Sequence, residues 1–201
     1  IKSLTIISMA KTKPKGLLRA KLSSKQPHTH KAIGRSGTVA AVDATFDIDE
    51  IINSIKFWAD RNAYVGFKIE EYTEEIRKDG KYYYEGKLTF GRDRDFYMRQ
   101  KFEINFAIKG AEKIQVEGPN GEIRNLMKGK IGFSTNTGLD LDYDNVFKSS
   151  KGLWGALHHI FFEYIYFRTF EDHKYEHGVD TGKIHALLKG QVDSFKKYKE
   201  A

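Results

Sequence analysis

No cysteine occurs among the 201 residues, which excludes a disulfide framework and any cysteine-based zinc or thiol chemistry. Proline is nearly missing as well: Pro14, Pro27 and Pro119 are the three in the chain, and two of them precede residue 38. Acid is missing from the first 42 residues, which carry nine cations: Lys2, Lys11, Lys13, Lys15, Arg19, Lys21, Lys25, Lys31 and Arg35. Of the 34 Lys/Arg and 27 Asp/Glu in the chain, residues 43–201 hold 25 and 27, so that part has a formal charge of −2 against +7 for the whole. The basic character therefore belongs to an arm and not to the body. Long apolar runs are missing too, and nothing approaches the roughly 20 residues that span a bilayer. Leu4, Ile6 and Ile7 make too short a run for a signal-peptide core.

Catalytic punctuation is equally scarce. No P-loop, G-x-G-x-x-G, G-x-S-x-G or cysteine nucleophile is found. No cofactor is expected, and a non-enzymatic role is favoured. Met9-Ala-Lys-Thr-Lys reads like a translation start, which would make residues 1–8 upstream sequence. The composition reads as that of a soluble, cytoplasmic protein.

What is present divides the chain in two. Residues 1–37 form a basic arm, in which residues 10–37 interleave Lys and Arg with Gly, Ser, Pro, Thr and His without a sustained apolar period and are expected to be extended or disordered on their own. Residues 38–201 read as one α+β domain. Residues 38–46 (TVAAVDATF) are rich in strand formers. Asp47 or Asp49 can cap a helix over 48–61, where Ile48, Ile51, Ile52 and Ile55 share one face. An antiparallel meander follows, with strands expected over 65–77, 82–90, 96–108, 113–117, 122–133 and 138–143. Its punctuation is Asp79-Gly80, Arg92-Asp93-Arg94-Asp95 and Gly118-Pro119-Asn120-Gly121. In the third strand Phe102, Ile104, Phe106 and Ile108 face one way. Two helices are expected to close the chain. The first covers 153–170 with seven aromatics; the second covers 181–198, starting at Asp180-Thr181-Gly182.

This order of elements resembles the START/polyketide-cyclase-like (SRPBCC) superfamily over about residues 38–198. The resemblance rests on the opening TVAAVDATFDIDEIINSIKFWAD and the closing GLWGALHHIFFEYIYFRTFEDHKYEHG. It implies a helix-grip fold: a curved antiparallel sheet of six to seven strands packed on C-terminal helices, with an apolar cavity between them. Members of the superfamily hold lipids, hormones or polyketides, and some catalyse cyclisation or dehydration. The basic arm and the paired C-terminal helices depart from its pattern.

Independently of the resemblance, a sheet with one apolar face must be covered, and the aromatic helix is the natural cover. Large aromatics facing the sheet either interlock as core or leave an apolar pocket. The candidates to line it are Trp58, Phe67, Tyr83, Phe102, Phe106, Phe133, Trp154, Phe161 and Tyr164. His159 and Glu163, one helical turn apart, would be a polar pair within such a cavity, orienting a ligand or acting as acid and base; otherwise they lie on the outer face.

His173-Lys-Tyr-Glu-His177 matches the H-x-x-E-H pattern of inverted zincins, but few residues remain to supply a third ligand, so it is a weak metal candidate. Asp140, Asp142 and Asp144 have the spacing that opens a calcium loop. Asn145 and Lys151 stand where Gly and Glu are required, so a strand with inward Leu139 and Leu141 explains them better.

The arm residues Lys11, Lys13, Lys15, Arg19, Lys21, Lys25, Lys31 and Arg35 suit a polyanion, RNA or a ribonucleoprotein first. An anionic membrane surface or a plain solubilising tail are the alternatives. Three functions are thus expected in descending order: a carrier of a hydrophobic small molecule or lipid, an RNA-associated protein anchored by its arm, and a cyclase- or hydrolase-like enzyme.

Overall fold

The computed structural model describes residues 37–118, 121–144, 146–147 and 152–194, and the backbone of Lys199–Glu200. The basic arm up to residue 36, with all of its candidate polyanion contacts, lies outside the described residues, as do residues 195–198. β1 (Gly37–Phe46) leads into α1 (Ile48–Arg61). The strands β2 (Val65–Ile76), β3 (Tyr82–Asp93), β4 (Met98–Glu117) and β5 (Ile123–Leu141) then follow without interruption. α2 (Gly152–Ile160) passes through a π-helical turn (Phe161–Tyr166) into α3 (Phe167–Ser194). A two-residue strand, β6 (Lys199–Glu200), pairs with Val116 and Glu117 of β4.

α1 forms where the sequence predicts it. The Asp47 carboxylate accepts hydrogen bonds from the backbone N–H of Asp49 at 3.0 Å and Glu50 at 3.2 Å, which satisfies two otherwise orphaned donors. Ile48, Ile51, Ile55 and Ala59 are buried on one face. The Asn62 amide donates to the carbonyl of Trp58 at 2.7 Å and closes the other end.

The long strands form one antiparallel sheet in the order β1-β5-β4-β3-β2. α1 and α3 share one face of it, α3 packing against β1, β5 and α1. That face is apolar: Tyr84, Leu88 and Phe90 of β3, Phe102, Ile104, Phe106 and Ile108 of β4, and Ile131 and Phe133 of β5 form one core with α1 and with Ile184, Leu188 and Val192 of α3. The opposite face is polar. There Lys87 pairs with Glu103 at 3.2 Å, and the amides of Asn105 and Asn136 donate to Glu103 at 3.3 Å each. Burial works to raise the Glu103 pKa, but these donors outweigh it and hold the carboxyl below its ordinary range.

Two expectations are corrected. The sheet has five long strands and one short one, not six to seven full strands, because two expected pairs are continuous. Residues 96–108 and 113–117 join in β4: Gly110, at φ +63°, absorbs the break as a bulge, and pairing to β5 shifts between Lys109 and Glu112 without ending. The Ser134-Thr135-Asn136-Thr137 stretch reads as a loop, yet it stays in the ladder opposite Glu103, Ile104 and Asn105, so 122–133 and 138–143 join in β5. The second correction concerns the C-terminal helices. Asp180-Thr181-Gly182 is not a helix start but the middle of α3. Thr181 donates its hydroxyl proton to the carbonyl of His177 at 2.8 Å, and Asp180 is drawn into a buried ion pair.

Gly86 of β3 is also dictated by packing. The Phe106 ring on the neighbouring strand occupies the space that a Gly86 side chain would need. Gly86→Val is expected to displace that ring and to cost about 1–3 kcal/mol of unfolding free energy in a urea titration. The same change at Gly138, which has open space around it, should cost less.

Candidate functional site

A concavity lies where β1 ends and α1 begins. A cleft of about 650 Å³ opens between the first residues of α1 (Asp47, Ile48, Asp49), the far ends of β4 and β5 (Lys113, Ile114, Gln115; Asn125, Leu126, Met127) and Tyr72, Glu74 and Tyr84 of the β2–β3 hairpin. Phe46, Tyr84, Leu126 and Met127 are buried and make its floor, while Tyr72 is half-exposed and makes a wall. The rings of Tyr72 and Tyr84 are 6.3 Å apart, and Tyr72 is equally far from Phe106 beneath. The Tyr84 hydroxyl donates to Glu74 at 3.0 Å. Burial, and then that carboxylate, push the Tyr84 phenol well above its ordinary pKa; burial followed by Glu74 and Asp49 raises Tyr72. Both phenols therefore stay protonated and act as hydrogen-bonding groups, not as bases. Three carboxylates (Asp47, Asp49, Glu74) and one cation (Lys113) belong to the lining, so the mouth is net negative. Lys113 also lies 4.6 Å over the ring of Tyr82.

A second cluster is buried and polar. Arg92 of β3 reaches Asp180 of α3 at 2.8 Å, the side-chain carbonyl of Gln100 at 2.8 Å and the backbone carbonyl of Asn62 at 2.8 Å. The Tyr64 hydroxyl is 3.0 Å from Asp180, and Lys183 is 3.2 Å from its other oxygen. His177 sits beside this group with its ring 5.0 Å from that of Phe102, and neither ring nitrogen has a hydrogen-bond partner among the described residues. Nearby, Asp95 accepts from the backbone N–H of Tyr97 and Met98 at 2.8 Å each and from the Tyr166 hydroxyl at 2.8 Å. Arg94 pairs with Glu176. The cluster is dense: Arg92, Tyr64, Gln100 and Asp180 all bond within it.

The candidates read from sequence are dispersed. Phe102, Phe106 and Phe133 fill the main core, and Trp58 and Phe67 pack against it. Tyr83 is half-buried under the Arg77 guanidinium, 3.8 Å from its ring centre. Phe161 joins a second aromatic cluster with Tyr97, Met98, Leu139, Leu141 and Tyr166. Trp154, His159, Glu163 and Tyr164 are exposed on the helix. None of these eleven lines the cleft. His173 and His177, one turn apart on α3, are directed differently. His173 lies 3.8 Å from Asp95 and from Glu176, whereas His177 is in the core. No group of three or more His, Asp or Glu among the described residues is arranged to hold a metal ion. Leu139 and Leu141 point inward as read, while Asp142 accepts from the backbone N–H of Val146 and Phe147 and so closes a turn.

Sequence reasoning passed over Tyr72, Glu74, Tyr84, Leu126 and Met127, whose only local signal is the crowding of carboxylates around the start of α1. It also read Arg92 as a turn residue. No protein-family model matches this chain, and no curated protein matches it in sequence.

The buried imidazole sets a pH dependence. Burial, reinforced by Arg92 and Arg94 against Asp180, pushes the His177 pKa down to about 4, and burial lowers His185 and His173 as well. The unfolded ring titrates at about 6.5, so below that pH the unfolded state binds the proton that the folded state refuses. The His177 contribution to stability is complete above about pH 6.5, falls as pH drops toward about 4, and levels off below that. His177→Phe keeps the packing on Phe102 and is expected to remove roughly 2–3 kcal/mol of this decline. Unfolding free energies in urea at neutral pH and near the lower end of that window provide the check.

Proposed function

We propose that the chain is a non-enzymatic binding protein of helix-grip type that holds a hydrophobic small molecule or lipid in the cleft between α1 and the sheet. The observation that carries this reading is the cleft itself. Its volume of about 650 Å³ falls within the roughly 300–1,000 Å³ typical of small-molecule sites. Buried Phe46, Tyr84, Leu126 and Met127 give the cleft apolar contact surface, and Asp47, Asp49, Glu74 and Lys113 in the same lining supply polar partners for an amphiphile with one polar end. The net negative rim favours a cationic or hydrogen-bond-donating end, which Glu74 and Asp49 would receive and the Tyr72 and Tyr84 hydroxyls would orient. The location differs from the expected one: the centre of the sheet–helix interface is filled by Phe102, Phe106 and Phe133, and the open space lies at its end. The enzyme reading draws no support from His159 and Glu163, which are exposed on the outer helix face, far along the sheet from the cleft.

Titration with aminoanthracene, an apolar amine that brightens on leaving water, tests the proposal. Saturable uptake is expected. Tyr72→Ala should weaken it about tenfold, the loss of one good aromatic contact, and Met127→Trp should block it by filling the floor. Native mass spectrometry of the purified chain should show a co-purified apolar ligand that the Met127→Trp chain lacks. Uptake that is absent, or indifferent to both substitutions in folded protein, overturns the assignment.

A further inference from the structure

We propose that the outer face of α2 and the π-helical turn is a membrane-binding surface that seats the protein on an anionic bilayer together with its basic N-terminal segment. This concerns a different surface from the cleft and stands even if the cleft binds nothing. The segment from Gly152 to Tyr166 is apolar on two sides. One side is spent: His158 and Tyr166 are buried and Phe161 and Phe162 half-buried against Tyr97, Leu139 and Leu141. The other is bare, with Leu153 at 73%, Tyr164 at 82% and Ile165 at 68% exposure, joined by Leu157 and Ile160.

The geometry makes this a continuous stripe. Leu153, Leu157, Ile160 and Tyr164 follow the three- and four-residue spacing of one helix face. The wider π turn sets each later side chain back relative to α spacing, which carries Tyr166 inward and leaves Ile165 on the stripe. A bare apolar stripe of this length marks an interaction surface. Glu163 is the only acid between Gly152 and Tyr166, so little charge opposes insertion. Tyr164 on the stripe and half-exposed Trp154 beside it have the amphipathic rings that settle at the headgroup level.

Charge identifies the occupant. The nine cations of residues 1–35 precede β1 with no acid among them. Gly37, where β1 begins, pairs with Thr135 of β5, and six residues further along β5 Leu141 packs in the aromatic cluster under the stripe. That separation is about 20 Å along β5, so β1 begins in the half of the sheet that carries the stripe. Neither element suffices alone: a short apolar contact holds a bilayer weakly, and each cation adds only about 1 kcal/mol near an anionic leaflet. Together they make two signals. No helix among the described residues is long and apolar enough to cross a membrane, so the stripe would lie on the surface.

Flotation of the full chain with phosphatidylcholine vesicles, with and without phosphatidylserine, decides the matter. Binding is expected only to the serine-containing vesicles, and added salt should weaken it. Leu153→Ser, Tyr164→Ser and Ile165→Ser combined should reduce it on the order of tenfold or more without lowering the unfolding midpoint, since all three side chains are exposed. Lys11, Lys13, Lys15 and Arg19 changed together to Gln should reduce it comparably. Absence of flotation, or flotation unchanged by the triple variant, overturns the proposal. So does a concentration-dependent dimer abolished by that variant, which would make the stripe a contact between copies. A chain that binds single-stranded RNA but not the vesicles would assign the cations to nucleic acid and overturn it too.

Discussion

The arrangement of this domain depends on the buried ion pair between Arg92 and Asp180. α3 has apolar residues for its lower half (Ile184, Leu188 and Val192), but its middle presents His177, Asp180 and Thr181 to the interior. Hydrophobic burial is non-directional and would not by itself choose how far α3 slides along the sheet. The Arg92 fork makes that choice. It binds α3 through Asp180, β4 through Gln100 and the end of α1 through the Asn62 carbonyl. Tyr64 completes the group, and burial, then the neighbouring Asp180, push its phenol well above the ordinary pKa. Such a pair contributes little net stability once both ions have lost their water. Its effect is to make every other position of the helix costly, because displacement would strand a charge in the core.

With α3 held in that register, the two ends of the molecule are free to differ. At one end of β4, Met98 and Tyr97 underlie the aromatic cluster and the bare stripe of α2. At the other, Ile114 and its neighbours help to form the cleft. A packed core of Phe102, Ile104, Phe106 and Phe133 separates them. A surface that meets a bilayer at one end and a cleft that holds an apolar molecule at the other would suit a carrier loaded at a membrane. Both assignments remain proposals that stand or fall separately.

Much of the fold was legible in local chemistry. Asp47 followed by isoleucines at helical spacing marks α1, Asp79-Gly80 marks the β2–β3 hairpin, and the alternation from Phe102 to Ile108 marks the inward face of β4. Legibility failed where a local signal was overridden from a distance. Gly110 reads as a break, but as a bulge it costs less than ending a strand flanked by β3 and β5. Asp180-Thr181-Gly182 reads as a cap, but Arg92, 88 residues earlier, gives Asp180 a partner inside the helix. The aromatic residues were correctly read as inward-facing around Phe102, and the sequence offered no means of telling a filled interior from an open one.

Composition and periodicity alone determined that a near-neutral α+β body follows a strongly basic segment, that cysteine chemistry is excluded, and that the sheet has one apolar face. These are sums and short-range patterns, which need no knowledge of what meets what. Only the tertiary structure decided that Tyr72, Tyr84 and Met127 share a cleft with the start of α1, that His177 is buried with no hydrogen-bond partner among the described residues, and that one side of the aromatic helix is exposed. Each of those depends on strand register and helix position, where a shift of one residue exchanges inside for outside.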